Sequence, residues 1–160
     1  MFNNKKLEGI LQQHNIKLIY GVHHALYNQS HLNWKISSRN IEIADVQNIS
    51  KYIRTTDLFI TDYSSIVFDF MFLDIPVIFY KLDFKDIHLH NVDKMSINNF
   101  NSCQKYIYNC TEDEDELIIK IKEYVDNGFK LEDDKRIQND KFFYFKDNIA
   151  ERLCAKLEKL

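Results

Sequence analysis

Apolar residues along this 160-residue chain fall into short blocks with two alternating spacings. Leu7, Ile10 and Leu11 recur at helical spacing and predict an amphipathic helix over residues 4–14, broken by Asn15. Ile16 to Val22 is a compact, largely apolar run, which predicts a buried strand ending in His23-His24. After a polar loop over 25–40, Asn40 to Ala44 reads as a second strand, and Val46 to Thr55 as a helix with Ile49, Tyr52 and Ile53 turned inward. Asp57 to Thr61 reads as a third strand, and Ser64 to Leu73 as a helix with Phe68 and Phe72 four residues apart. Pro76 to Tyr80 follows as a fourth strand, its proline at the first position, where a missing N–H is tolerated.

Lys81 to Asn101 has neither spacing and is expected to be a long loop. Tyr106 to Tyr108 is a weak fifth strand. Thr111 is expected to be an N-cap with acidic residues behind it in the first turn, and Leu117 to Val125 a helix ending before Gly128. Ile149, Leu153, Leu157 and Leu160 share one stripe, predicting a final helix packed back onto the sheet. Strands alternating with helices imply right-handed βαβ units, hence an α/β fold with a mostly parallel sheet, in one domain spanning 1–160.

Composition removes several classes of function. The only glycines are Gly9, Gly21 and Gly128, and the only proline is Pro76, so neither a Gly-rich dinucleotide loop nor a Walker-type phosphate loop can be built. A phosphate must be held another way. The net charge is -3 and no basic stripe is present, so no nucleic-acid partner is expected. Cys103, Cys110 and Cys154 are odd in number and lack C-x-x-C spacing, as free thiols in a reducing compartment would be. No apolar run follows Lys5-Lys6 and none reaches 18 residues, so a soluble, cytoplasmic protein is expected.

The candidate chemistry lies between Thr56 and Phe70, where the third strand stops at the polar cluster Thr61-Asp62-Tyr63-Ser64-Ser65 and becomes a helix. Ligands of open α/β sheets bind beyond the carboxyl ends of strands. A serine at a helix start offers a hydroxyl and unpaired backbone N–H groups to an anion. Asp69, four residues after Ser65, is placed to accept hydrogen bonds from ribose or glycerol hydroxyls. Together these fit a nucleotide diphosphate. The competing reading makes Ser64 a plain N-cap and Asp62 an Asx-turn residue. His88-x-His90 has metal-like spacing without a third ligand and reads as a loop-surface pair, and Glu112 to Glu116 complement a helix dipole, so no metal site is expected.

The run ITDYSSIVFDF, followed by Asp74-Ile75-Pro76-Val77-Ile78-Phe79-Tyr80 and Asp83, resembles the signature of the CDP-glycerol glycerophosphotransferase family of teichoic-acid and capsule polymerases, in its nucleotide-binding C-terminal half. The resemblance covers roughly residues 15–157, from the strand ending in His23-His24 to Asp147-Asn148-Ile149-Ala150-Glu151-Arg152, which is similar to the family's Asp-Gly-x-Ala-x-x-Arg. Asn148 stands where the family usually has glycine. The resemblance implies a GT-B fold in which two Rossmann-like halves face each other across a cleft, with the N-terminal half absent from these 160 residues.

It also implies a reaction in which a terminal glycerol hydroxyl attacks the β-phosphorus of CDP-glycerol and CMP leaves. The donor would be held by Thr61, Asp62, Tyr63, Ser64, Ser65 and Asp69, and no cofactor is called for. A base near pKa 7 is needed, a role imidazole suits. His23 matches the family's strand-end histidine best and His24 is the register-shifted alternative. Because successive strand residues point to opposite faces, only one of the two faces the cleft. The implied acceptor is a polyol phosphate or glycan, with peripheral association at the inner face of the membrane left open. Two other functions remain open: a GT-B transferase using CDP-ribitol or a nucleotide sugar, since nothing reads the base or the carbon chain, and a non-catalytic nucleotide-binding fragment.

Overall fold

The computed structural model describes residues 4–21, 38–44, 49–62, 64–80, 109–143 and 146–158. In chain order the elements are α1 (Lys5–Gln13), β1 (Leu18–Tyr20), β2 (Ile41–Ile43), α2 (Ser50–Ile53), β3 (Phe59–Thr61), α3 (Val67–Phe72), β4 (Val77–Tyr80), β5 (Cys110–Thr111), α4 (Glu114–Asp126), α5 (Asp133–Phe142) and α6 (Ile149–Leu157). The chain divides into two units, Met1–Thr56 with Glu114–Gly128, and Asp57–Asp113 with Phe129–Leu160. All described strand pairs are parallel, which makes the chain α/β and compatible with a Rossmann-like arrangement. Within the first unit β1 and β2 form a two-stranded sheet, and within the second β3, β4 and β5 form a three-stranded one. No helix among the described residues is long and apolar enough to cross a membrane.

In the first unit, α1 is flanked by asparagine at both ends, as the N-cap and just past the C-cap His14. The Asn4 side chain accepts from the N–H groups of Lys6 and Leu7. Asn15, at φ 51°, carries the chain into the left-handed region, where its N–H reaches Gln12 O (3.3 Å) and Ile16 N–H reaches Leu11 O (2.8 Å). This is a Schellman motif with asparagine in the usual glycine position. Leu7 and Leu11 are buried as their spacing predicts. β1 and β2 pair in the register Leu18↔Ile41 and Tyr20↔Ile43, and Asn40 beside them donates to Leu11 O and Ile16 O (3.4 and 3.0 Å). The Lys17 ammonium beside Glu42 holds that carboxyl below the ordinary glutamate range. Along α4, Leu117, Ile118, Ile121 and Tyr124 are buried, and Asn4 and Lys6 bond Glu114 and Asp115 of its first turn (2.7 and 2.6 Å).

In the second unit, Phe59↔Val77 and Thr61↔Phe79 set the register of β3 on β4, and Phe79↔Cys110 that of β4 on β5. Val77, Ile78 and Phe79 are buried, as a central parallel strand requires. α3 links β3 to β4 with Val67, Phe70 and Met71 buried, and the Phe70 ring stacks on Phe59 at 3.8 Å. The end of α3 repeats the pattern of α1. Asp74 sits at φ 57°, its N–H reaches Met71 O (3.1 Å), and Ile75 N–H reaches Phe70 O (3.0 Å).

Several expectations need correction. The Thr111 hydroxyl accepts from Asp113 N–H (3.1 Å) in a local turn, and the helix starts at Glu114, so Thr111 is a strand residue rather than the N-cap. α5 had no sequence prediction. Its one buried side chain is a polar one, Asn139, so no apolar stripe announces it. α6 begins at Ile149 as expected, but Ile149, Leu153 and Leu157 are 51%, 57% and 59% exposed, so its stripe is not packed onto the sheet. Asn148 has φ 53°, which explains why a glycine is at home in that position. The strand predicted over Tyr106–Tyr108 and the loop with His88 and His90 lie outside the described residues, as does Cys103. Cys110 and Cys154 are exposed and form no disulfide among the described residues.

Candidate functional site

Beyond the carboxyl end of β3 the chain turns before it becomes helical. The carbonyls of Ser64, Ser65 and Ile66 accept from the N–H groups of Val67 (3.3 Å), Phe68 (3.2 Å) and Asp69 (3.0 Å), a tight i→i+3 pattern that runs into α3. The helix therefore starts at Val67 rather than Ser64, and its N-cap, Ile66, makes no side-chain capping bond. Ser64 is not the N-cap. Ser64 and Ser65 are both exposed, and their hydroxyls and N–H groups have no hydrogen-bond partner among the described residues. A six-residue helix contributes a small dipole, so these local donors, more than the macrodipole, are what an anion would meet.

Asp69 is exposed on α3, four residues after Ser65, which lies in the turn before the helix rather than on it. Asp62 is exposed beside the end of β3, whereas Thr61 is buried in the strand opposite Phe79. The structure thus brings Asp62, Ser64, Ser65 and Asp69 to one strand-to-helix turn. Tyr63, His23 and His24 lie outside the described residues, β1 being described only as far as Tyr20 with Gly21 after it.

The sequence reading missed the residues at the other end of α3. Asn139, fully buried, donates from Nδ2 to Met71 O (3.1 Å) and to Asp74 Oδ1 (3.3 Å). Lys146 Nζ donates to the same Asp74 oxygen at 2.6 Å and pairs with Asp140 Oδ1 at 3.1 Å. The rings of Phe142 and Phe143 cover Phe68 and Phe72, at centroid distances of 5.2 and 5.4 Å. Asp74 lies in the run Asp74 to Tyr80 that follows α3, but nothing in the spacing of Asn139 or Lys146 marks them as its partners.

The chain matches the family model of CDP-glycerol:poly(glycerophosphate) glycerophosphotransferase over residues 1–159. It is similar to the teichoic acid ribitol-phosphate polymerase TarK of Staphylococcus aureus (strain NCTC 8325 / PS 47), 22% identical over 81% of this chain and 26% of that protein. It is also similar to the teichoic acid ribitol-phosphate polymerase TarL of the same organism, 24% identical over 51% of this chain and 15% of TarL. The chain spans about a quarter of the length of the first of these curated relatives. No solved structure matches it. With the family match running through the Ser64-Ser65 turn and on to α6, the chain belongs to the CDP-glycerol:poly(glycerophosphate) glycerophosphotransferase family.

Proposed function

We propose that this chain is the nucleotide-donor-binding, Rossmann-like half of a GT-B polymerase that transfers a polyol phosphate from a CDP-linked donor to a growing teichoic-acid-like or capsular polymer. The observation that carries this reading is the turn after β3, where two exposed serines whose hydroxyls and N–H groups have no partner among the described residues precede α3, with Asp69 one turn further on. In this reading the diphosphate rests on Ser64 and Ser65, and the Asp69 carboxylate accepts from hydroxyls of the donor. The acceptor's terminal hydroxyl attacks the β-phosphorus. A new P–O bond forms as the bond to CMP breaks, and the hydroxyl proton passes to the imidazole of His23 or His24. No cofactor takes part, and the protein works at the inner face of the membrane as a peripheral component.

Membership of the CDP-glycerol family supports glycerol phosphate as the transferred group, and similarity to the ribitol-phosphate polymerases TarK and TarL supports ribitol phosphate. CDP-glycerol is the first reading and CDP-ribitol the second. Calorimetric titration with CDP, UDP and CMP tests the nucleotide class. Tighter binding of CDP than of UDP and CMP is expected, together with at least tenfold weaker CDP binding in the Ser64→Ala, Ser65→Ala double variant, the loss of two hydroxyls facing a charged ligand. Unchanged CDP affinity in the double variant would remove the serine turn from the donor site. General-base catalysis needs the acceptor hydroxyl about 2.6–3.2 Å from the imidazole, which calls for an opposing half to hold it. The 160 residues alone are therefore expected to bind CDP without making polymer.

A further inference from the structure

We infer that Asp74, held by Asn139 and Lys146, is a positioning residue that sets the Ser64-Ser65 turn from the opposite end of α3; the inference rests on the donor-site reading above. α3 is six residues, about 9 Å long, so a shift at one end is transmitted to the other. Its buried residues, Val67, Phe70 and Met71, hold it against the unit by apolar contact, which is non-directional. Hydrogen bonds are directional, and those to a charged group are the stronger ones.

Among the described residues, the side-chain hydrogen bonds at the end of α3 converge on one place. Asn139 holds the carbonyl of Met71 and the carboxylate of Asp74 together, and Lys146 adds a charged bond to that carboxylate with only 17% of its side chain exposed. Asp74 occupies the left-handed position of a Schellman motif, where glycine would serve the backbone better. A carboxylate placed where the backbone prefers glycine points to a use for the side chain. Asp140 shares Lys146 at 3.1 Å and is exposed, so it steadies the lysine without replacing Asp74.

This arrangement supplies a variant that separates positioning from folding. Asp74→Gly keeps and eases the backbone turn while removing the carboxylate. CDP is titrated calorimetrically into the wild type, Asp74→Gly, Lys146→Met, Lys146→Arg and the Ser64→Ala, Ser65→Ala double variant, with thermal unfolding followed in the same buffer. Asp74→Gly and Lys146→Met are expected to raise the Kd for CDP about five- to tenfold with unchanged stoichiometry, and Lys146→Arg to restore most of the affinity. A purely structural role would instead lower the binding-competent fraction, seen as reduced stoichiometry at an unchanged Kd, and would overturn the inference. Wild-type affinity in Asp74→Gly and Lys146→Met alongside weakened binding in the serine double variant would also overturn it, leaving the donor site in place. Unchanged binding in the serine double variant would fell the donor-site reading, and the inference with it.

Discussion

The ends of α1 and α3 share one hydrogen-bond pattern and differ in what surrounds it. Both stop in a Schellman motif, both place a polar residue rather than glycine in the left-handed position, and both receive an asparagine amide from elsewhere in their own unit. At α1 that residue is Asn15, which is exposed, and the side-chain amide of Asn40 donates to the backbone carbonyls of Leu11 and Ile16. At α3 it is Asp74, whose carboxylate is the meeting point of a buried amide and a half-buried ammonium. The same backbone device thus serves as a plain stop in one place and as an anchor in the other. The helix with the anchor is the one preceded by the serine turn.

The largest expected effect comes from breaking the anchor. Asn139→Leu is close in size and opens no large cavity, but strips two hydrogen bonds from a fully buried position, so it should destabilise the protein by about 2–3 kcal/mol. Urea unfolding measures this, and a loss below about 0.5 kcal/mol would make the two helix ends equivalent after all. At the other end of α3 the ranking inverts. The Ser64→Ala, Ser65→Ala double variant should change stability by less than about 0.5 kcal/mol, because no serine hydroxyl caps the helix, while CDP binding falls.

A sharper comparison makes one replacement at both left-handed positions. Asn15→Gly should be neutral within about 0.5 kcal/mol, since asparagine tolerates the left-handed region and its side chain is exposed. Asp74→Gly should lose about 1 kcal/mol, the eased backbone offsetting only part of the lost carboxylate bonds. Equal values in denaturant unfolding would erase the distinction. The smallest effect belongs to the Lys17–Glu42 pair of the first unit. Glu42's folded pKa lies below its ordinary value, so the pair's contribution is present above that value and is lost as pH falls through the lowered one. The Tm difference between wild type and Glu42→Gln should be small and positive at neutral pH and vanish in acid.

The parts of the fold legible in the sequence are those set by apolar spacing. Leu7 and Leu11 in α1, the run Val77 to Phe79 and the stop at Asn15 were all readable because burial and a helix break leave a mark in residue type. The turn after β3 was readable too, since a polar run such as Asp62-Tyr63-Ser64-Ser65 behind an apolar strand is a local signal. Asn139 and Lys146 were not, because a polar contact to a residue about 70 positions away has no period. The exposed stripe of α6 shows the converse: Ile149, Leu153 and Leu157 have the right spacing, and spacing alone does not say that a partner face is present.

The left-handed positions have a further consequence, in the ensemble that precedes folding. Asn15, Asp74, Asn109, Phe129 and Asn148 all hold positive φ in a chain with only three glycines. A residue with a Cβ has fewer unfolded conformations than glycine, a difference of about 0.4–1 kcal/mol for each site whose native geometry it can adopt. The denatured chain is correspondingly narrower at these turns. Asparagine and aspartate visit the left-handed region more readily than other non-glycine residues, so the chain is biased toward reversing direction at Asn15, Asp74, Asn109 and Asn148 before any strand has found its neighbour.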